Sequence, residues 1–280
     1  MYRIRFLLLL LPFLAGCATR HEAPNLATAP IPALSYAAVL DGGTATPIQS
    51  PIIVKYAPYP TASFERLTRG GGTGGGKTVS ISERTTGTVF AEAEATGDLL
   101  SVTFAIQNVT ATGNMSDEVR ESLSIKGAKV ILLLSEPRGT IKNVNVFMPP
   151  SVVDPTRPHS GAEKFARSFI ADDAPATGLP QTGNMPYHEI YPKTDSDSGG
   201  SFDGKFAVVG KGTYRGRPVV VLDTSGVIST NGQALGFRGY VFLDTATGIF
   251  SHKEGVVQGN MSIEGTAVQV SVHMIDDVRF

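Results

Sequence analysis

From Ser101 to Val109 the chain alternates. Val102, Phe104 and Ile106 share one parity; Ser101, Thr103, Ala105 and Gln107 share the other. Successive side chains of a strand point to opposite faces, so this pattern predicts a strand with one buried and one wet face. Lys142 to Met148 repeats it, with Val144, Val146 and Met148 inward. So does Gly265 to Met274, where Val268, Val270, Val272 and Met274 oppose Gln269, Ser271 and His273. Val130 to Leu134 is apolar throughout and predicts a central strand. Shorter strand signals lie at Ile52 to Tyr56, Thr78 to Glu83 and Gly87 to Glu94. Gly204–Tyr214 and Pro218–Asp223 flank Arg215-Gly216-Arg217, and Gly236–Asp244 and Gly248–Val257 flank Thr245-Ala246-Thr247; each set reads as a hairpin. Gly87–Phe104 loosely matches Gly204–Leu222, which suggests a repeated β unit.

A period near 3.6 is clear in one place. Ala162, Phe165, Ala166, Phe169 and Ile170 form a single apolar stripe, with Lys164, Arg167 and Ser168 facing away. Ser160 and Glu163 make a capping box. The spacing predicts a helix over about 161–171, covering an edge or end of a sheet. Ser116 caps a brief second helix through Leu123, ended by Gly127. The fold expected is mainly β: an antiparallel sandwich or open barrel, as two similar β units or one body, with one amphipathic helix across it.

The organisation expected is a leader at 1–16, a flexible tether at 17–50, a first β-rich unit at 51–148, a linker carrying the helix at 149–201, and a second β-rich unit at 202–280. The tether reading rests on the Ala, Pro and Thr content of residues 18 to 50, with Ala33 to Leu40 as the part able to pack on the domain. With 31 glycines, 18% charged residues and no tryptophan, the composition agrees with an all-β secreted body. The net charge is −1, and the leader removes two basic residues and no acidic one. Such a balance offers no long-range attraction to nucleic acid.

At the start, Arg3 and Arg5 precede an apolar run from Phe6 to Leu14, interrupted only by Pro12, and then Leu14-Ala15-Gly16-Cys17. The run is about half the ~20 residues that a spanning helix needs, and it reads as an export signal. The tetrad resembles the lipobox of bacterial lipoproteins. That resemblance implies cleavage after Gly16 and lipid on Cys17, with Ala18 favouring the outer membrane. Two or more acyl chains would anchor the protein stably to its membrane partner. Cys17 is the only cysteine, so lipidation leaves no disulfide.

Candidate chemistry is thin. Gly71-Gly72-Thr73-Gly74-Gly75-Gly76-Lys77-Thr78 fits the pattern of a phosphate-binding loop. However, Ser63 to Arg69 before it is polar and not strand-like, and a strand rather than a helix follows, so a hairpin loop is the better reading. Asp197-Ser198-Gly199-Gly200 is similar to the nucleophile segment of chymotrypsin-like proteases, but His21, His159 and His188 lie in the wrong contexts for its base. Asp195, Asp197 and Asp203 are oxygen donors without the rest of a calcium loop. His273, on the polar face of its strand, reads as a surface residue. No catalytic set, metal, cofactor, nucleotide or nucleic acid is expected, and the chain is expected not to be an enzyme. The leading expectation is an outer-membrane-anchored, periplasm-facing lipoprotein that binds or scaffolds an envelope protein partner. The alternative is a carrier holding a lipid or other apolar ligand in a curved sheet. A hydrolase whose residues converge only in space is the third reading.

Overall fold

The computed structural model describes residues 34–95, 97–114, 122–135, 139–150, 156–171, 179, 184–191, 200–230, 233–263 and 266–280. Cys17, the leader, His21, Asp195 and Asp197 lie outside them, as does most of the brief helix expected at 116–123, of which Ser122 and Leu123 are helical, with Ser124 continuing it. Twelve strands form one antiparallel sheet: β1 (Asp41–Thr46), β2 (Tyr59–Gly74), β3 (Lys77–Ala93), β4 (Leu99–Gly113), β5 (Lys129–Ser135), β6 (Thr140–Phe147), β7 (Asn184–Tyr191), β8 (Gly200–Tyr214), β9 (Arg217–Thr230), β10 (Gln233–Asp244), β11 (Phe250–Ile263) and β12 (Thr266–Arg279). Their order is β1-β8-β9-β10-β11-β12-β2-β3-β4-β5-β6, with β7 pairing the first half of β8 and β1 the second. The sheet is not closed. Among the described residues, no helix is long and apolar enough to cross a membrane.

Both sequence-predicted hairpins form, β8–β9 through Arg215-Gly216 and β10–β11 across 245–249. The two β-rich blocks do not make separate bodies. The last strand of the second, β12, pairs along its length with the first long strand of the first, β2, and one hydrophobic cluster runs from Leu132 of β5 to Leu222 of β9. A polar-looking segment makes this join. In β2 Tyr59 is buried and, past a register shift, the buried parity is Ala62, Phe64, Arg66 and Thr68, and the glycine tract continues the strand to Gly74. The expected glycine loop is therefore strand plus a two-residue turn at Gly75 and Gly76, whose φ values of 55° and 76° lie where glycine is favoured. The short signal at Ile52 to Tyr56 yields only a bridge between Ile52 and Leu179.

One tyrosine shows that the sheet rolls up. The Tyr56 ring fills the space that a Cβ would take at both Gly139 and Gly248, 2.1 Å and 2.3 Å from its atoms. These glycines sit in the β5–β6 and β10–β11 turns. In a flat sheet β5 and β11 would be roughly 24 Å apart, at about 4.8 Å per strand step. A side chain touching both turns requires a rolled sheet, and bulges in the β3–β4, β8–β9 and β10–β11 pairs supply local bends.

The inner face carries Ala62, Phe64, Val89, Phe104, Val130, Leu132, Val220, Leu222, Val241, Val257 and Val268, all nearly inaccessible. Helix α1 (Thr156–Arg167) lies against β5 and β6, and its stripe turns into this face. It begins earlier than its pattern indicated, so Ser160 lies within it rather than capping it. Glu163 instead pairs with Arg167 at 2.7 Å, one turn on.

The outer face has its own smaller apolar cluster, built from Tyr214, Val219, Val221, Tyr240 and Phe242. The segment from Leu34 to Thr46 covers it. Tyr36 meets Tyr240 edge-on at 6.3 Å, Leu40 is buried over Gly212, and β1 adds to β8. Residues 34–46 of the expected tether are thus part of the body, because they cover apolar surface that would otherwise face water.

Candidate functional site

Arg66, Lys253 and Asp276 all have the inward parity of their strands, and all three are buried, at 2%, 4% and 0% exposure. The register places them side by side. Lys253 of β11 is opposite Asp276 of β12, Asp276 is opposite Arg66 of β2, and Arg66 is opposite Thr85 of β3. A polar row thus crosses four neighbouring strands through an apolar face. Charges buried this deeply survive only when paired and hydrogen-bonded. Arg66 grips Asp276 in a two-pronged pair through Nε and Nη2, the latter at 2.6 Å from Oδ2. Lys253 Nζ lies 2.7 Å from the same Oδ2.

The row holds down the end of the helix. Arg66 Nη2 donates to Ser168 Oγ at 2.9 Å, and Lys253 Nζ donates to the Ser168 carbonyl at 2.6 Å. The next residues follow as a short β-like strap: Phe250 N–H donates to Phe169 O at 2.8 Å, Ala171 N–H to Gly248 O at 3.0 Å, and the Tyr56 hydroxyl to Ala171 O. Around this latch the aromatic rings pile up. Phe169 lies 5.6–5.7 Å from Phe104 and Phe64, and Phe165 lies 5.3 Å from Phe64. The Arg66 guanidinium sits over Phe165 at 4.5 Å and Lys253 Nζ over Phe169 at 5.0 Å. Arg66 Nη1 is buried without a partner.

The charges shape one another. Burial pushes the Lys253 ammonium down to about 8 against the pull of Asp276, and Arg66 adds to the push. Burial alone would raise the Asp276 carboxyl, but Arg66 and then Lys253 outweigh it and hold it at about 2. A lysine ordinarily titrates near 10.4. Between pH 8 and that value the unfolded chain binds the extra proton, so stability rises with pH. Urea unfolding at pH 8.0 and 9.5 should show a higher unfolding free energy at 9.5 in the native chain and no such gain in Lys253→Met. An equal gain in both would assign the slope elsewhere.

A second group of titratable side chains lies on the outer face. Tyr240 donates to Glu254, His273 Nε2 is 2.8 Å from Glu254 Oε1, and Tyr214 donates to Asp277. The bond from His273 is the chief cause that holds Glu254 below its usual range. His273 is therefore a half-buried partner rather than the free surface residue its parity indicated. His252 stacks on Tyr240 at 5.7 Å, with Nδ1 3.7 Å from Asp277. Among the described residues, no three His, Cys, Asp or Glu converge as metal ligands.

The other sequence candidates do not meet. Gly71 to Thr78 is strand and turn, with β3 rather than a helix after it. Asp203 is exposed on β8, His159 is exposed on α1, and His188 is on β7. The residues that do converge, Arg66, Lys253 and Asp276, carried one signal: charge at a position of core parity.

No family model matches the chain, and no curated protein does. Among solved structures, 78% of the chain aligns with 85% of a DUF1329 family protein from Desulfovibrio piger, at 11% identity and a TM-score of 0.21. A likeness at that score carries no argument.

Proposed function

We propose that this chain is a lipoprotein of the bacterial outer membrane, anchored through Cys17 and facing the periplasm. In this reading it has no enzymatic activity and carries an apolar ligand inside its rolled sheet, with α1 as the lid. The supporting observation is the way the helix is held. Its stripe lies on an apolar inner face, yet its end is fixed by directional bonds from buried charges to the single residue Ser168. Removing the lid exposes apolar surface that an acyl chain would cover again, at about 25 cal/mol per Å².

Ile170 and Ile249 provide the test. The bonds from Ala171 to Gly248 and from Phe250 to Phe169 make them a directly opposed, non-hydrogen-bonded pair. Cα atoms in such pairs are about 4.5 Å apart, within disulfide range. In a Cys17→Ala background, Ile170→Cys with Ile249→Cys should take up a fluorescent fatty acid when reduced and lose most of that uptake when oxidised. Equal uptake in both states would sink the lid. The scaffold reading rests on β6, an outermost strand of the sheet whose Phe147 is 56% exposed. It expects Phe147→Ser to break an envelope crosslink and leave fatty-acid uptake unchanged.

A further inference from the structure

Ser168 offers two oxygens, Oγ and its carbonyl, to two different buried cations. Both oxygens belong to the lid, and both leave if the lid moves. Arg66 and Lys253 would then share only Asp276, and the row itself holds one positive charge in excess. With the lid in place Lys253 is held at about 8, so it is largely charged at neutral pH. Glu83, the nearest carboxylate on β3, does not balance it by contact: it accepts from Thr85 at 2.8 Å and Ser122 at 3.0 Å, and it makes no ion pair among the described residues. The Arg66 Nη1 group is inaccessible and unpartnered even with the lid in place. A buried cationic donor left unsatisfied is costly, and such groups call for an explanation.

We infer that the row of Arg66, Asp276 and Lys253 is the head-group site of the carried ligand, an amphiphile whose carboxylate or phosphate takes the place of the two Ser168 oxygens. A two-oxygen anion suits the remaining donors: Lys253 Nζ, Arg66 Nη2 and the free Nη1. The acyl chain then lies along the inner face, where Phe165 and Phe169 now rest on Phe64 and Phe104. The lid's own serine stands in for the ligand head when the site is empty, so lid and ligand compete for the same cations. This inference rests on the carrier reading and adds the chemistry of the ligand's head.

The test compares ligands of one chain length on the full chain with Cys17→Ala: laurate, dodecyl phosphate and dodecanol, with inorganic phosphate alone. Affinities come from displacement of a fluorescent fatty acid. Laurate, dodecyl phosphate or both should bind at least about tenfold more tightly than dodecanol, as a charge-assisted contact in a buried site gives. Whichever anion binds more tightly identifies the head. Lys253→Met keeps the Arg66–Asp276 pair neutral but also loosens the lid, so its readout is the ratio within the variant: the preference for the anions over dodecanol should fall to within about twofold. Equal affinity for dodecanol and both anions in the native chain overturns the head-group site while the carrier stands. No binding of any of the three overturns the carrier itself. Inorganic phosphate as tight as dodecyl phosphate overturns the amphiphile in favour of a free-anion site.

Discussion

Asp276→Asn should unfold this protein more readily than almost any other single substitution, by about 3–5 kcal/mol in equilibrium urea denaturation. Asp276 is fully buried and, among the described residues, is the only carboxylate paired with both Arg66 and Lys253. Its amide leaves two cations facing each other across β2 and β11 with no counter-charge between them. Lys253→Met in the same chain removes one of the two and should recover part of the loss, which separates charge from shape. A loss under about 1 kcal/mol for Asp276→Asn would mean that the row is not desolvated as described. Acid gives the same information. With the Asp276 carboxyl at about 2 in the folded state and near 3.9 when unfolded, its contribution is complete above about pH 4. It falls away as the pH drops toward 2.

Phe169→Ala is the second large effect, at about 3–5 kcal/mol. The ring is inaccessible and touches Phe64, Phe104 and Phe165 at once, while its backbone carbonyl accepts from Phe250. The strap bond survives the substitution, so the loss measures the ring's packing together with its contacts to the Arg66 and Lys253 cations. The same change opens a space beside Lys253, whose ammonium lies over this ring. If the inner face receives an acyl chain, the variant should bind a fluorescent fatty acid more tightly while being less stable. Lower stability together with weaker binding would make Phe169 a plain core residue. Thermal unfolding with and without laurate reads both quantities in one experiment.

Much of this architecture is legible in alternation alone. The inward parity of β4, the apolar run of β5, both second-half hairpins and the helical stripe can be read without coordinates, because each depends on neighbours a few residues apart. β2 is harder to see. Its buried parity passes through Arg66 and Thr68 before ending in glycines, so no apolar rhythm marks it. It becomes a strand because β3 and β12 pair with its backbone on both sides. The candidate site is less legible again. Asp276 continues the inward series of Val270, Val272 and Met274, and Arg66 continues that of Ala62 and Phe64. A charge at a core position is a visible irregularity. That these irregularities stand opposite one another, with Lys253 as the third, depends on register between strands about 20 and 200 residues apart, which a single sequence does not set. The segment from Leu34 to Thr46 is open in the same way, since an Ala- and Pro-rich stretch packs only where a partner face exists for it.

Under the proposed lipid anchor, that docked segment would set the working radius of the whole body. With lipid on Cys17, the leash to Leu34 extends to at most about 55–60 Å, at about 3.3 Å per residue. A leash running free to residue 50 would reach nearly twice as far. Docking residues 34–46 on β8 and β10 would halve that range. Under the proposed anchoring the body would sample a thin shell above the bilayer, where a shorter leash means a higher local concentration of whatever the membrane presents.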